Sequence, residues 1–149
     1  MGLAAFVYGY PLLEMMRTCR LQTRRPYDGS PSRVPVDRPW HWAGPTQASD
    51  RDVVTPANDL MYTTAWIHLA DGPRALQVPA ARDHPGRYFV LALYDAFTEN
   101  FCNLGLRNTS PDGETVWLLG PGHDGPPPGA PPARVVRCPT PLVWLLARV

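Results

Sequence analysis

Asn58 and Asp59 stand side by side just ahead of an alternating stretch that runs from Met61 to Leu69. An amide next to a carboxylate at the mouth of a strand suits a polar rim, with Asp59 as general base or ligand anchor and Asn58 as a hydrogen-bonding partner. The same two residue types also favour a turn that bonds nearby backbone N–H groups. Within the stretch, Met61, Thr63, Ala65, Ile67 and Leu69 fall on one face, and Tyr62, Thr64, Trp66 and His68 on the other. The first set is core-like. The second is amphipathic and lines either a pocket or a second packed layer, which makes Tyr62, Trp66 and His68 ligand-binding candidates.

A second group of polar residues follows at Asp95 and at Thr98-Glu99-Asn100. Asp95 ends an apolar run, where a desolvated carboxylate is suited to proton transfer. It is the other catalytic candidate, with Asn100 as a ligand contact; a hydrogen-bonded bend between two strands uses the same residues. Arg17, Arg87 and Arg107 are the cations that could face these acids or grip a carboxylate ligand with two parallel hydrogen bonds. Structural ion pairs joining helix to sheet draw on the same side chains. Arg87 and Tyr88 begin a strand and are well placed to reach a mouth. Together these groups support acid–base chemistry, such as isomerisation, cyclisation or dehydration, on a small apolar or aromatic metabolite.

Other chemistries find little in the chain. All 14 basic residues are arginine, which excludes a Schiff-base lysine and a phosphate-loop lysine. No Ser sits in a Gly-x-Ser-x-Gly elbow, and no Gly-rich loop opens a helix; the run at 120–132 carries too much Pro to present backbone donors. Cys19, Cys102 and Cys138 are far apart and lack metal-ligand spacing, so they are expected as small buried hydrophobes rather than as a disulfide or zinc framework. Of the four histidines, only His68 falls in an expected strand; His41 is in a Pro-rich connection, and His84 and His123 lie in Pro/Gly turns expected to face solvent. No metal and no cofactor is expected. A net charge of +1 with scattered Arg offers no basic stripe for nucleic acid. The N-terminus has no basic leader, and Pro11 and Glu14 break its apolar run, so neither a signal peptide nor a membrane span is expected and the chain reads as cytoplasmic.

These side chains need elements to carry them, and 149 residues suffice for one domain with a core. Residues 3–24 have helical spacing, with Leu3, Phe6, Val7, Tyr10, Leu13 and Arg17 on one stripe. Pro11 either kinks this segment, starts its second half or separates two short helices. Residues 25–58 read as a long surface connection, inside which Trp40-His41-Trp42 should pack against the body. From residue 59 onward short strands alternate with turns: 61–69, 75–79, 87–95, 100–107, 115–120, 133–138 and 142–148. This predicts a mainly β chain with an N-terminal helical segment, folded as an antiparallel β-sandwich or partly open barrel. The strand at 87–95 is apolar on both faces and should be central. The last, also apolar, would promote association if left at an open edge.

Four stretches, YGYPLLEMMR, DVVTPANDLMYTTAWIHL, GRYFVLALYDAFTENFCNLGLR and PTPLVWLLAR, occur in an order that resembles the bacterial domain-of-unknown-function 1254 family along nearly the whole chain. The resemblance implies an antiparallel sandwich preceded by helix, and implies no reaction. Longer members tend to continue into a companion β-rich domain of unknown function 1214. Two departures stand out. Family members usually carry Asn-Asn-Asp-Thr or similar after the Pro, where this chain has Ala57-Asn58-Asp59-Leu60, and the sequence stops soon after Pro-Leu-Val-Trp, where relatives continue. The second departure is the basis of an alternative expectation: a non-catalytic assembly module that self-associates or pairs with a companion β domain.

Overall fold

Residues 2–24, 34–50, 55–83 and 85–149 are described by a computed structural model of the protein. One helix, α1 (Gly2–Thr23), precedes eight strands: β1 (Trp40–His41), β2 (Tyr62–His68), β3 (Arg74–Val78), β4 (Val90–Tyr94), β5 (Asn100–Gly105), β6 (Glu114–Leu119), β7 (Arg134–Arg137) and β8 (Leu142–Arg148). The strands form a five-stranded sheet in the order β1-β2-β8-β4-β5 and a three-stranded sheet in the order β3-β6-β7. The chain is therefore mainly β with a single N-terminal helix, and its two sheets are not closed into a barrel.

The alternation of β2, β4 and β8 explains why the larger sheet has a layer on each side. Ala65 and Ile67 of β2, Leu91 and Leu93 of β4, and Val143 and Leu145 of β8 turn inward and meet Val116 and Leu118 of β6 in the main core. Burying each of the Val, Leu and Ile side chains contributes about 1.5–3 kcal/mol, and that driving force fixes the register, since a one-residue slip would reverse every face. Gly120, just past β6, lets the two sheets close: a Cβ there would lie 2.7 Å from Leu69 Cβ. The opposite face of β2, β4 and β8 presents Trp66, Tyr94 and Trp144, which pack with Met15 and Cys19 of α1.

The structure sharpens four expectations. The final strand, whose apolar residues would promote association only at an open edge, is interior. β8 pairs antiparallel with β2 along its whole length and with β4 from Trp144 through Arg148, so its apolar residues are taken up by two neighbours. The sandwich is not wholly antiparallel, because β7 runs parallel to β6; the loop between them is long enough for the crossover that a parallel pair requires. Within the long connection before β2, Trp40 packs against the body as expected, and Trp40 and His41 also pair with Thr64 and Thr63 as a short edge strand. The parts of that connection at 25–33 and 51–54, and His84, lie outside the described residues. Finally, Pro11 lies inside one continuous helix, and the stripe of Leu3, Phe6, Val7, Tyr10 and Leu13 is exposed. The second half of α1 is anchored to the sheet through Met15, Cys19 and Gln22, a separate face at helical spacing, while Tyr8 in the first half meets Phe97 after β4 at 5.8 Å.

Candidate functional site

Trp66 is the pin between helix and sheet. It is fully buried, and its indole N–H donates to Gln22 Oε1 at 2.9 Å. It stacks on Trp144 with ring centroids 5.4 Å apart and planes 6° from parallel. Trp144 donates its own N–H to Thr64 Oγ1 at 2.7 Å and meets Tyr94 at 5.7 Å. A row of rings is thus locked in place across β2, β8 and β4, with the indole N–H groups bonded to neighbours rather than left to collapse inward.

Beside this row α1 stands off from the sheet and leaves a cavity of about 520 Å³. Its aromatic walls are Trp42, Tyr62, Tyr94 and Trp144. Tyr62 is fixed by accepting the Ala57 N–H at its phenol oxygen, 3.0 Å away. Thr98, at the turn between β4 and β5, also lines the cavity and holds a left-handed backbone with φ 70°. That conformation is strained for a β-branched residue, and strain of this kind gathers at binding sites.

Four charged groups reach this space. Glu14 and Arg17 lie on the helix side and bond to each other at 3.3 Å. Asp50 lies on the loop side, with Oδ2 accepting the Gln47 N–H at 2.7 Å. Arg148 ends β8 on the same face as Trp144 and Leu146, and among the described residues its guanidinium has no acidic partner. The chemistry of an unpaired guanidinium among aromatic walls suits a planar anion.

A second cavity, of about 370 Å³, lies on the other side of the five-stranded sheet, between the two sheets. Arg87 and His41 stand among its lining residues, and His41 Nδ1 is 2.8 Å from Thr63 Oγ1.

The residues singled out from the sequence are dispersed over the molecule. Tyr62 and Arg17 line the helix-side cavity and Arg87 the inter-sheet one. Asn58 and Asp59 are exposed at a bend before β2 and line neither. Asp95 is buried, but Oδ1 accepts the N–H groups of Phe97 and Glu99 at 2.8 and 3.0 Å, so this oxygen holds the β4–β5 turn. Asn100 donates to the Leu93 and Cys102 carbonyls and accepts from Asn103. His68 is half-buried, with Nδ1 3.6 Å from an Asp71 carboxylate oxygen. Arg107 lies over the Tyr88 ring at 5.9 Å. His123, expected in solvent, is half-buried in the β6–β7 loop, with Nδ1 enclosed and unbonded. Among the described residues no three His, Cys, Asp or Glu side chains gather as a metal would require, and no helix is long and apolar enough to cross a membrane.

Trp144, Tyr94 and Arg148 are the residues that sequence reasoning misses. The signal is present: the period of two along Leu142–Arg148 puts Leu142, Trp144, Leu146 and Arg148 on one face. Regarding the strand as uniformly apolar hides it.

The family model described as Protein of unknown function (DUF1254) matches residues 36–149. No curated protein matches the chain. Among solved structures, the VPA0106 protein from Vibrio parahaemolyticus is similar in fold, with a TM-score of 0.65 and 21% identity over 97% of this chain. The match covers 31% of that protein, so this chain spans about a third of its length.

Proposed function

The chain belongs to the DUF1254 family, and from that starting point we propose that it binds a small aromatic carboxylate in the cavity between α1 and the five-stranded sheet. The supporting observation is Arg148, whose guanidinium lines an aromatic-walled space without an acidic partner among the described residues. A flat apolar ring would stack between Tyr62, Tyr94 and Trp144 while its carboxylate pairs with Arg148. The volume, about 520 Å³, falls within the range of small-molecule sites. Asp59 and Asp95 stand outside this cavity, so their positions give no support to acid–base chemistry and the reading is one of binding.

Phenylacetate is a suitable probe, with Trp42 and Trp144 fluorescence as the signal. Arg148→Gln should weaken binding about tenfold or more, the value of a lost charge-assisted pair. Arg148→Lys should fall between, keeping the charge but not the planar fork. Wild-type affinity in Arg148→Gln, with the thermal midpoint unchanged, would remove Arg148 from the site.

A second function is favoured by the first half of α1. From Gly2 to Leu13 it carries no charged side chain, and Leu3, Phe6, Val7 and Leu13 are exposed. We propose that this surface pairs with a second copy of the chain, since an uncharged apolar face meets itself across a two-fold axis with no like-charge repulsion. Sedimentation should show a dimer that Phe6→Glu dissociates; a wild-type monomer at tens of micromolar would rule the pairing out.

A further inference from the structure

We propose that the inter-sheet cavity is a ligand site of its own, for an unbranched aliphatic carboxylate. It differs from the helix-side cavity in both walls and charge. Leu76, Pro79, Phe89, Leu91, Leu145 and Ala147 supply an almost wholly hydrocarbon lining. A flexible alkyl chain fits such a space better than a multiply charged molecule, because of the two other polar lining residues Thr63 Oγ1 is already bonded to His41 and Gln77 Oε1 to Thr115.

The two basic lining residues, Arg87 and His41, are exposed. Arg87 precedes β4, is exposed, and has no acidic or hydrogen-bonding partner among the described residues. His41 is held at the Thr63 hydroxyl through Nδ1. In the tautomer where Nδ1 accepts from that hydroxyl, Nε2 remains a donor. An apolar interior with an unpaired guanidinium at its exposed side is complementary to a single carboxylate on a hydrocarbon tail. The volume of about 370 Å³ limits the tail to a short or medium chain.

The two cavities are separated by the sheet itself. Along β8, Leu145 and Ala147 line the inter-sheet space, while Trp144, Leu146 and Arg148 line the helix side. A ligand in one cavity therefore touches alternate residues of the strand from a ligand in the other. That alternation gives a direct readout.

Octanoate is the probe, titrated into the protein with methyl-labelled Leu and Ala and followed by NMR. Resonances of Leu145 and Ala147 should move and that of Leu146 should not. Octylamine, of equal length and opposite charge, should bind at least about tenfold more weakly, as should octanoate to Arg87→Gln. Ala80→Phe, at the cavity wall outside the strands, should block octanoate without lowering the thermal midpoint. Octanoate should not displace phenylacetate, so failure here and failure of the helix-side site are separable. Shifts centred on Leu146 and Trp144, equal binding of octylamine, or undiminished binding to Arg87→Gln would each overturn the proposal.

Discussion

Gln22 of α1 accepts a hydrogen bond from the indole N–H of Trp66 at 2.9 Å, and both side chains are buried. This polar contact ties the helix to the larger sheet, where Met15 and Cys19 add apolar packing. Gln22→Leu should leave the indole donor without a partner and lower stability by about 1–3 kcal/mol, read from urea unfolding. Near-UV circular dichroism should change with it, because the Trp66–Trp144 stack depends on the same anchoring. An unchanged unfolding midpoint would mean that the indole finds another acceptor.

Asp95 offers a sharper separation of structure from chemistry. Its Oδ1 accepts two backbone N–H groups of the β4–β5 turn. Asp95→Ala should therefore destabilise the fold by about 1–3 kcal/mol, while Asp95→Asn, which keeps an acceptor oxygen, should cost less. Asp59→Asn, at an exposed bend, should leave the midpoint within about 0.5 kcal/mol of wild type. Calorimetry on the three variants decides the order.

Thr98 holds a φ of 70° in the turn where Asp95 and Glu99 face each other. Gly is the residue such a position favours. Thr98→Gly should raise stability by roughly 0.5–1 kcal/mol after allowing for the greater freedom of Gly in the unfolded chain. Its effect on phenylacetate binding then reports whether the hydroxyl at the cavity wall matters to the ligand.

Burial pushes the Cys138 thiol up to about 12, with the neighbouring Cys102 adding to the rise. The ordinary value is 9.0, so the unfolded chain releases this proton at lower pH than the folded one. The contribution to stability is complete below pH 9 and is lost as pH climbs toward about 12. Urea midpoints should fall across that window, and Cys138→Ala should flatten the decline. A thiol reagent at pH 8 should label the half-buried Cys19 and Cys102 before Cys138.

Much of the β body is legible because its strands alternate. The stretch 142–148 is placed to the residue, and 61–69, 75–79 and 115–120 within one residue at each end, since inward Ala65, Ile67, Val116 and Leu118 repeat every second position. Trp40–His41 escapes notice as a strand because two residues carry no period. The parallel β6–β7 pair is hidden for another reason: strand direction depends on the route of the Pro/Gly loop, which local pattern does not encode. The site is harder still. Tyr62 can be placed on the correct face, but its meeting with Arg148 depends on β8 entering beside β2, a pairing across more than half the chain. Asp95 draws attention as an acid closing an apolar run, and the property that makes it conspicuous, burial, is satisfied by the turn's own backbone.

The place of β8 between β2 and β4 bears on how the protein is made. Of the eight strands it is the last to leave the ribosome, yet it is the one that joins the two halves of the larger sheet. Until Leu142–Arg148 emerges, β2 and β4 have no common neighbour, and neither cavity has its β8 wall. Pairing within that sheet is accordingly a long-range event, and a slow one by its topology.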